Sequence, residues 1–410
     1  MKNNKISFFI NEEIIRNGKK ITSNIKIKKD IILFYLDEKR SNKKSNVLIV
    51  PMKAYNYEIP VEFKKRVLKF PIKYENTGIS KIDDPPIPLD NIELTNLVKR
   101  KYGIRFNKDF DENAFISLLS TVIYSKFRPF LYHCKNGSMN DVMDLYHLNN
   151  LFSKKLSTLI PPIENHLKNT LVNEIIDFSE KNSDCKVNNI AFMYDHYNLT
   201  IYEKCSNHKK RSNYNNWINH TVMELESYEK QGSDFNKCLD KYNGNIPLWY
   251  MIDKITFGTF SKFLIILNKS LAREFAVTIY QLNKDLQNNK PRTPSAIFQF
   301  TQALVVLRNS VNHSDNILFN NYIQIKRSFF NQKDLEILNA ENNTIFRGLF
   351  WELLILKYNY VGTPQQNKDD WNSFINEINE YITPTIAKKI NFPKNWDKVL
   401  KIVIPSDISL

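Results

Sequence analysis

The sequence predicts a mainly α-helical protein with a small β-rich N-terminal domain. After about residue 90, apolar residues recur at helical spacing in several long segments, whereas residues 5–74 alternate apolar and polar residues in short runs. Between these regions, the stretch from Asp83 to Asp90 contains three prolines, which lack an amide donor and fix φ. We therefore expect a basic β-rich domain at residues 1–84, a helical domain at 85–318 and a helical C-terminal part at 319–410.

The N-terminal domain is predicted to be an antiparallel β unit that carries most of the positive charge. Asn17-Gly18 and the segment from Lys39 to Asn46 supply turn residues between its apolar runs. The net charge of the chain is +15, and residues 1–82 hold 19 Lys and Arg against 8 Asp and Glu, a net +11. This concentration favours a polyanionic partner, either nucleic acid or an anionic membrane face, although a solvated surface of a Lys- and Asn-rich chain would show the same bias.

One group of basic residues in this domain is a candidate RNA-binding face. Phe70 and Tyr74 lie nearby in the sequence, and aromatic rings among cations suit RNA bases and backbone. Charged edge strands that prevent aggregation explain the pattern equally well. The candidate residues are Lys26, Lys28, Lys64, Lys65, Arg66 and Lys69.

The bulk properties favour a folded, cytoplasmic protein. Hydrophobic residues make up 42% of the chain, which is enough to form a core. Its four Cys include no Cys-x-x-Cys pair, so disulfides are not expected, and Cys205-x-x-His208 has no second pair to complete a metal site. The first residues do not resemble a leader, and no run of about 18 apolar residues occurs, so we expect neither export nor a membrane span.

Helical periodicity predicts the main elements of the larger part. Pro161 and Pro162 should kink or break the helix from Asp144 to Ile176 just before Glu164. Gly258 suggests a close approach between helices, with Trp249 among the buried residues of its helix. Of the last two helices, the first should be buried and the second amphipathic, and both should form a lid around the core. The predicted helices span Asn91 to Tyr102, Asp111 to Ser125, Asp144 to Ile176, Trp217 to Tyr228, Pro247 to Asn268, Phe346 to Tyr358 and Asp369 to Tyr381.

The segment from Thr293 to His313 is predicted to be one helix with a polar C-terminal end. Thr293 can cap it, and Pro294 suits the first helical position, where a missing N–H costs nothing. One apolar stripe should be buried, formed by Ile297, Phe300, Leu304, Leu307 and Val311. At about 100° per residue, an adjoining sector collects Arg308, Asn309, Asn312 and His313.

Four segments resemble known families. Arg308-Asn309-Ser310-Val311-Asn312-His313 resembles the Arg-x4-His signature of HEPN ribonucleases. The other three resemble the Abi-like (AbiD/AbiF) phage-defence family and follow its order: Glu164-Asn-His-Leu-Lys168 is similar to Glu-x-x-Leu-Arg, the block from Ile246 to Phe263 is similar to Pro-x-Trp followed by Phe-Gly-Thr-x-Ser-Lys, and Asn391-Phe-Pro-Lys-Asn-Trp396 is similar to Phe-Pro-x-x-Trp. The resemblance covers residues 88–400 and leaves out the N-terminal domain.

This resemblance implies a HEPN-type helical bundle and an endoribonuclease that needs no metal and no other cofactor. Arg308 and His313 would be catalytic, and Asn309 would orient the histidine or the phosphate. The supporting residues would be Glu164, Lys168 and Asn312. HEPN nucleases pair two such helices across a composite cleft, so the resemblance implies a homodimer. The substrate would be RNA, in an abortive-infection or toxin–antitoxin system, with a structured non-coding RNA as a further partner.

The side-chain chemistry is compatible with RNA cleavage. The fork of Arg can meet two phosphate oxygens and stays charged, while His can move protons near neutral pH, so the 2′-OH of RNA could attack the neighbouring phosphate. The sequence lacks the motifs of nucleotide hydrolysis, dinucleotide binding and zinc hydrolysis.

Three alternatives stay open. Glu164 and Lys168 stand at i and i+4, so they could form an ordinary surface ion pair. Ser314-Asp315-Asn316 departs from the family pattern after the His, which leaves the substrate contacts open. The chain could also be a non-catalytic RNA-binding protein that forms a complex with a structured non-coding RNA and only grips phosphate.

Overall fold

The computed structural model describes residues 89–181, 208–230, 234–241, 246, 248–282, 294–313, 316–340 and 345–403, together with the backbone of three short strands. The chain divides into two units, Met1–Leu89 and Asp90–Leu410.

The described part of the first unit is a three-stranded sheet. Its strands are β1 (Phe34–Tyr35), β2 (Val47–Pro51) and β3 (Arg66–Phe70), in the order β1-β2-β3. β1 pairs antiparallel with β2, but β2 pairs parallel with β3, so a purely antiparallel arrangement is wrong for this pair. Three short strands do not establish a β-rich domain, which stays a prediction.

The second unit is helical, as predicted. Its helices are α1 (Asn91–Tyr102), α2 (Glu112–Leu119), α3 (Arg128–His133), α4 (Met139–Lys181), α5 (His208–Lys230), α6 (Asp234–Lys241), α7 (Leu248–Lys254), α8 (Phe257–Ile266), α9 (Lys269–Leu282), α10 (Pro294–Asn312), α11 (Gln332–Ile337), α12 (Leu349–Tyr360), α13 (Gln365–Tyr381), α14 (Pro384–Lys389) and α15 (Trp396–Leu400). Short 3-10 turns occur at Tyr124–Lys126 and Arg327–Phe329. None of the helices in the described ranges is long and apolar enough to cross a membrane.

α4 is the central helix of this unit, and α7, α9, α10, α12 and α13 all pack against it. Its apolar face is buried from Val142 to Ile175. The helix runs through Pro161 and Pro162 without the break that the sequence suggested. Two N–H groups are lost there, but the φ of proline is itself helical, and packing on several sides holds the helix together. The Tyr360 hydroxyl donates to the carbonyl of Leu159 at this point.

Local capping explains where several elements begin and end. Asp90 caps α1 in a capping box with Glu93, and Gly103, at φ 65°, ends it. α2 stops at Leu119, earlier than predicted, because the hydroxyls of Ser120 and Thr121 bond back to nearby carbonyls of its last turn.

The predicted helix from Pro247 to Asn268 is two helices, α7 and α8. Thr256 caps α8 by accepting from the Thr259 amide, and the Glu224 carboxylate accepts from the Thr256 amide and both threonine hydroxyls. This cap ends the first helix at Lys254, and Trp249, expected to be buried, is 44% exposed. A Cβ at Gly258 would meet only ordinary contacts, so close helix approach does not require this glycine.

α12 is buried, as predicted, and belongs to the core rather than to a lid around it. Every residue from Leu349 to Tyr360 is buried, because α4, α10, α13 and α15 all pack against the helix. Gly348, at φ 125°, precedes it. Its sequence is mostly apolar, as expected of a helix in such a position, although its buried residues include Glu352, Lys357 and Asn359.

Candidate active site

The predicted Arg-His helix is α10, and its apolar stripe is buried as expected. Ile297, Phe300, Leu304, Leu307 and Val311 are each at most 5% exposed. Thr293, the expected cap, lies outside the described residues. The buried stripe fixes the rotation of the helix, so the polar sector at its C-terminal end must face away from the core.

The four polar residues of this sector divide into two pairs. Arg308 and Asn312 line a cavity of about 260 Å³ between α4, α7 and α10. Asn309 and His313 are exposed and do not line that cavity. The separation follows from helical geometry, because residues four apart stand above one another and residues one apart point about 100° away from each other.

Glu164 joins α4 to α10 through two cations. Its Oε1 lies 2.9 Å from Nζ of Lys168, and its Oε2 lies 3.9 Å from Nε of Arg308. The side chains of Lys168 and Glu164 are only 9% and 13% exposed, which rules out an ordinary surface pair. Arg308 is 34% exposed. The carboxylate therefore compensates a buried lysine and also orients a guanidinium that solvent can reach.

Lys168 is held from a second side as well. Its Nζ donates to the carbonyl of Ile255 at 2.8 Å, at the point where α7 has ended and α8 has not begun. The break between these helices removes the next turn of helical donors and leaves carbonyls to be satisfied by other groups. The interruption that the sequence did not reveal thus supplies one of the contacts that fix Lys168.

The charges around the cavity are balanced. Asp253 of α7 also lines it, and its carboxylate pairs with Lys254 at 2.9 Å. Sequence analysis did not single out Asp253, because nothing in its neighbourhood distinguishes it from other surface carboxylates. With two carboxylates and two cations on the walls, the exposed part of Arg308 is the main group available to an incoming anion.

The loop after α10 is anchored on three sides. Asn149 of α4 accepts from the amides of Ile317 and Leu318 at 2.7 and 3.3 Å. The Tyr322 hydroxyl donates to the carbonyl of Ile317 at 2.7 Å, and the Asn320 amide donates to the Ser310 hydroxyl. The His313 amide completes a last helical hydrogen bond to Asn309 at 3.0 Å. These contacts hold the end of the helix on either side of the histidine.

The side chains of the candidate RNA-binding residues of the N-terminal domain are not described by the structure. Lys26, Lys28, Lys64 and Lys65 lie outside the described residues, and only the backbone of Arg66 and Lys69 is described, in β3. Their role stays a prediction. Within the described ranges, no group of three or more His, Cys, Asp and Glu residues is placed to hold a metal ion.

A family model described as Abi-like protein matches residues 114–320, half of the chain. The matched region contains Glu164, Lys168, Arg308 and His313. The chain therefore belongs to the Abi-like family. The match ends before Phe392 and Trp396, which carry the last motif of the expected resemblance. Comparison with curated proteins and with solved structures found no match.

Proposed function

We propose that this protein is a metal-independent endoribonuclease of the HEPN type that acts in abortive infection or a toxin–antitoxin system. The observation that carries the proposal is the arrangement at the end of α10, where Arg308 is oriented by Glu164 and remains accessible, with His313 exposed on the last turn. Membership of the Abi-like family supports a role in phage defence.

In the proposed reaction, Arg308 binds the scissile phosphate. The 2′-OH loses its proton and attacks the phosphorus, and the bond from phosphorus to the 5′-oxygen breaks. The Arg308 guanidinium stabilises the charge that builds up on the phosphoryl oxygens. Its Nε faces Glu164 at 3.9 Å, which is a loose contact, so the terminal nitrogens can turn toward phosphate.

His313 transfers protons in this proposal. Its exposed position suits contact with RNA and with a second chain rather than a packing role. Cleavage needs one group to take the proton of the 2′-OH and another to give a proton to the leaving 5′-oxygen. One chain offers one such histidine, so we infer a homodimer in which two α10 helices face each other and Asn309 orients the histidine or the phosphate.

Mutagenesis tests this assignment. Arg308→Ala and His313→Ala should each lower cleavage of single-stranded RNA by at least about 100-fold, as expected for a lost charge-stabilising or proton-transfer group. Arg327→Ala and His147→Ala are matched controls, since both residues are exposed and lie outside the cavity. Equal loss in the controls, or full activity in the Arg308 and His313 variants, would reject the site.

One observation favours a second candidate function. His313 does not line the cavity that Arg308 lines, as expected if the Arg only grips a phosphate. The chain would then be a non-catalytic RNA-binding protein in complex with a structured non-coding RNA. Multiple turnovers by the purified protein would decide against this alternative, whereas stoichiometric binding without cleavage would favour it.

A further inference from the structure

A second and larger cavity opens beside the loop that follows α10. Its volume is about 660 Å³, within the range of roughly 300–1,000 Å³ typical of small-molecule sites. Its walls come from residues 318–320 of that loop, from residues 345 and 347–349 before and at the start of α12, and from residues 388 and 390–393 around the end of α14. None of these residues lines the Arg308 cavity, so the two sites are separate.

The walls of this cavity are cationic. Arg347 and Lys388 both line it and are exposed, and no Asp or Glu is among its lining residues. Within the part of the chain that the structure describes, neither side chain forms an ion pair or a hydrogen bond. The Arg308 cavity differs, because Glu164 and Asp253 balance its cations. Two cations that have no ion pair among the described residues and line one cavity suit an anion such as phosphate.

The same cavity presents aromatic rings. The His133 and Phe319 rings are stacked with centroids 3.6 Å apart and planes 7° from parallel. Partial desolvation lowers the pKa of His133, which favours the neutral ring, and a neutral imidazole offers a flat, weakly polar surface for stacking. Trp351 and Phe392 also line the cavity. Flat aromatic faces beside cations are what stacking of a nucleic-acid base requires.

One amide completes the set. Asn391 lines the cavity and, among the described residues, its side chain has no hydrogen-bond partner. Its backbone is held at φ 58° by the turn after α14. An amide carries both donors and an acceptor, which is the combination that base edges recognise.

We propose that this cavity binds a nucleotide, with its phosphate between Arg347 and Lys388 and its base against the Phe319–His133 pair. The nucleotide is either one residue of a bound RNA strand, which rests on the proposed ribonuclease function, or a free mononucleotide. The occupant would also contact the end of α10 indirectly, because Asn320, another lining residue, donates to the Ser310 hydroxyl.

The test measures binding to the full-length Arg308→Ala/His313→Ala chain, which keeps RNA probes intact. The probes are a fluorescein-labelled single-stranded RNA, followed by anisotropy, and AMP and inorganic phosphate, followed by calorimetry. In this background, the further pair of substitutions Arg347→Ala/Lys388→Ala should weaken binding of RNA or AMP at least about tenfold. The slope of log affinity against log salt concentration for RNA should become shallower by roughly 0.7 per lost phosphate contact. In the same background, Phe319→Leu keeps an apolar side chain but removes the ring, and it should weaken binding of RNA or AMP by about fivefold or more.

The matched control for the cation pair is Arg327→Ala/Lys333→Ala, which removes the same charge from exposed positions outside the cavity. AMP binding identifies a free nucleotide, and RNA binding without AMP binding identifies a nucleotide within a strand. If the cavity variants bind both probes as the control does, or if phosphate binds as tightly as AMP, the assignment is wrong. If the wild-type chain fails to cut RNA while the cavity substitutions still weaken AMP binding, the proposed nuclease function fails and the nucleotide site stands.

Discussion

The Nε atom of Arg308 lies 3.9 Å from the Oε2 atom of Glu164, whose other oxygen is 2.9 Å from the Lys168 ammonium. One carboxylate is thereby shared between a nearly buried lysine and a partly exposed arginine. The lysine holds the carboxylate in place, and the carboxylate orients the arginine. This chain of contacts gives each of the three residues a distinct and testable role.

Glu164→Gln removes the stabilising role and the orienting role of this carboxylate together. It leaves Lys168 nearly buried without its charged partner and should lower the free energy of unfolding by roughly 3 kcal/mol. Cleavage should fall on the order of tenfold because Arg308 loses its positioning contact. Chemical denaturation and RNA cleavage measure the two effects.

The double variant Glu164→Gln/Lys168→Met separates the two effects. Removal of both charges should restore most of the stability without restoring activity. Glu226→Gln, at an exposed position of α5, is the control and should change neither quantity. Full activity in the single variant would show that Glu164 does not position Arg308.

Asn149→Leu tests the anchor of the loop after α10. The change leaves the Ile317 and Leu318 amides buried without their acceptor and should cost roughly 2–6 kcal/mol, since each unsatisfied amide costs about 1–3 kcal/mol. Hydrogen exchange at these two amides should quicken, and cleavage should fall although Arg308 and His313 are intact. The neighbouring Asn150→Leu, at an exposed position, should leave all three quantities unchanged. Unchanged exchange in Asn149→Leu would contradict the anchoring role.

The start of α4 should make a pH-dependent contribution to stability. Partial burial opposes ionisation of Asp141, but hydrogen bonds from Lys389 and Ser138 prevail and lower its pKa from 3.8 to about 2. Because the folded pKa is below the unfolded value, the contribution is full above about pH 4 and is lost as the pH falls through about 2. Asp141→Asn should therefore lower the melting temperature at neutral pH, and the difference from the parent should shrink on acidification.

Asp240→Asn, at an exposed position of α6, is the control for that comparison. Its melting temperature should follow that of the parent at every pH. A difference in melting temperature between Asp141→Asn and the parent that stays constant from neutral pH to about pH 2 would show that the charge of the Asp141 carboxylate does not stabilise the fold.

Subunit mixing tests the composite site. If a site needs both α10 helices, an equal mixture of wild-type and Arg308→Ala chains that exchange freely should keep about a quarter of the wild-type activity, since only wild-type pairs are intact. Mixing with Arg327→Ala should leave the activity unchanged. Activity that stays at the wild-type fraction, or a chain that is monomeric by light scattering during cleavage, would contradict the dimer.

The sequence predicted the features that depend on local periodicity and capping. The stripe from Ile297 to Val311 is buried as expected, and α1 runs from Asn91 to Tyr102 and ends at Gly103 as expected. These features could be predicted because the spacing of apolar residues and the φ of one glycine determine them within a single segment.

Features that depend on distant partners could not be predicted. The break at Thr256 depends on Glu224, 32 residues away, which completes the cap. The buried state of Lys168 depends on the Ile255 carbonyl, 87 residues away. Helical geometry separates Arg308 and Asn312 from Asn309 and His313, but which of these two pairs faces the cavity depends on how α4 and α7 pack around α10. A motif gives residue types and spacing, but not which side of a cavity each residue faces.

The most direct test of the proposed function is the chemistry of the RNA ends produced in EDTA. Purified protein, freed of bound RNA, should cut single-stranded RNA with metal chelated and leave 2′,3′-cyclic phosphate and 5′-hydroxyl ends, because the 2′-OH is the nucleophile. His313→Ala should leave the RNA intact under the same conditions, and His147→Ala should cut it normally. Loss of cleavage in EDTA, or 5′-phosphate ends, would contradict a metal-independent reaction through Arg308 and His313.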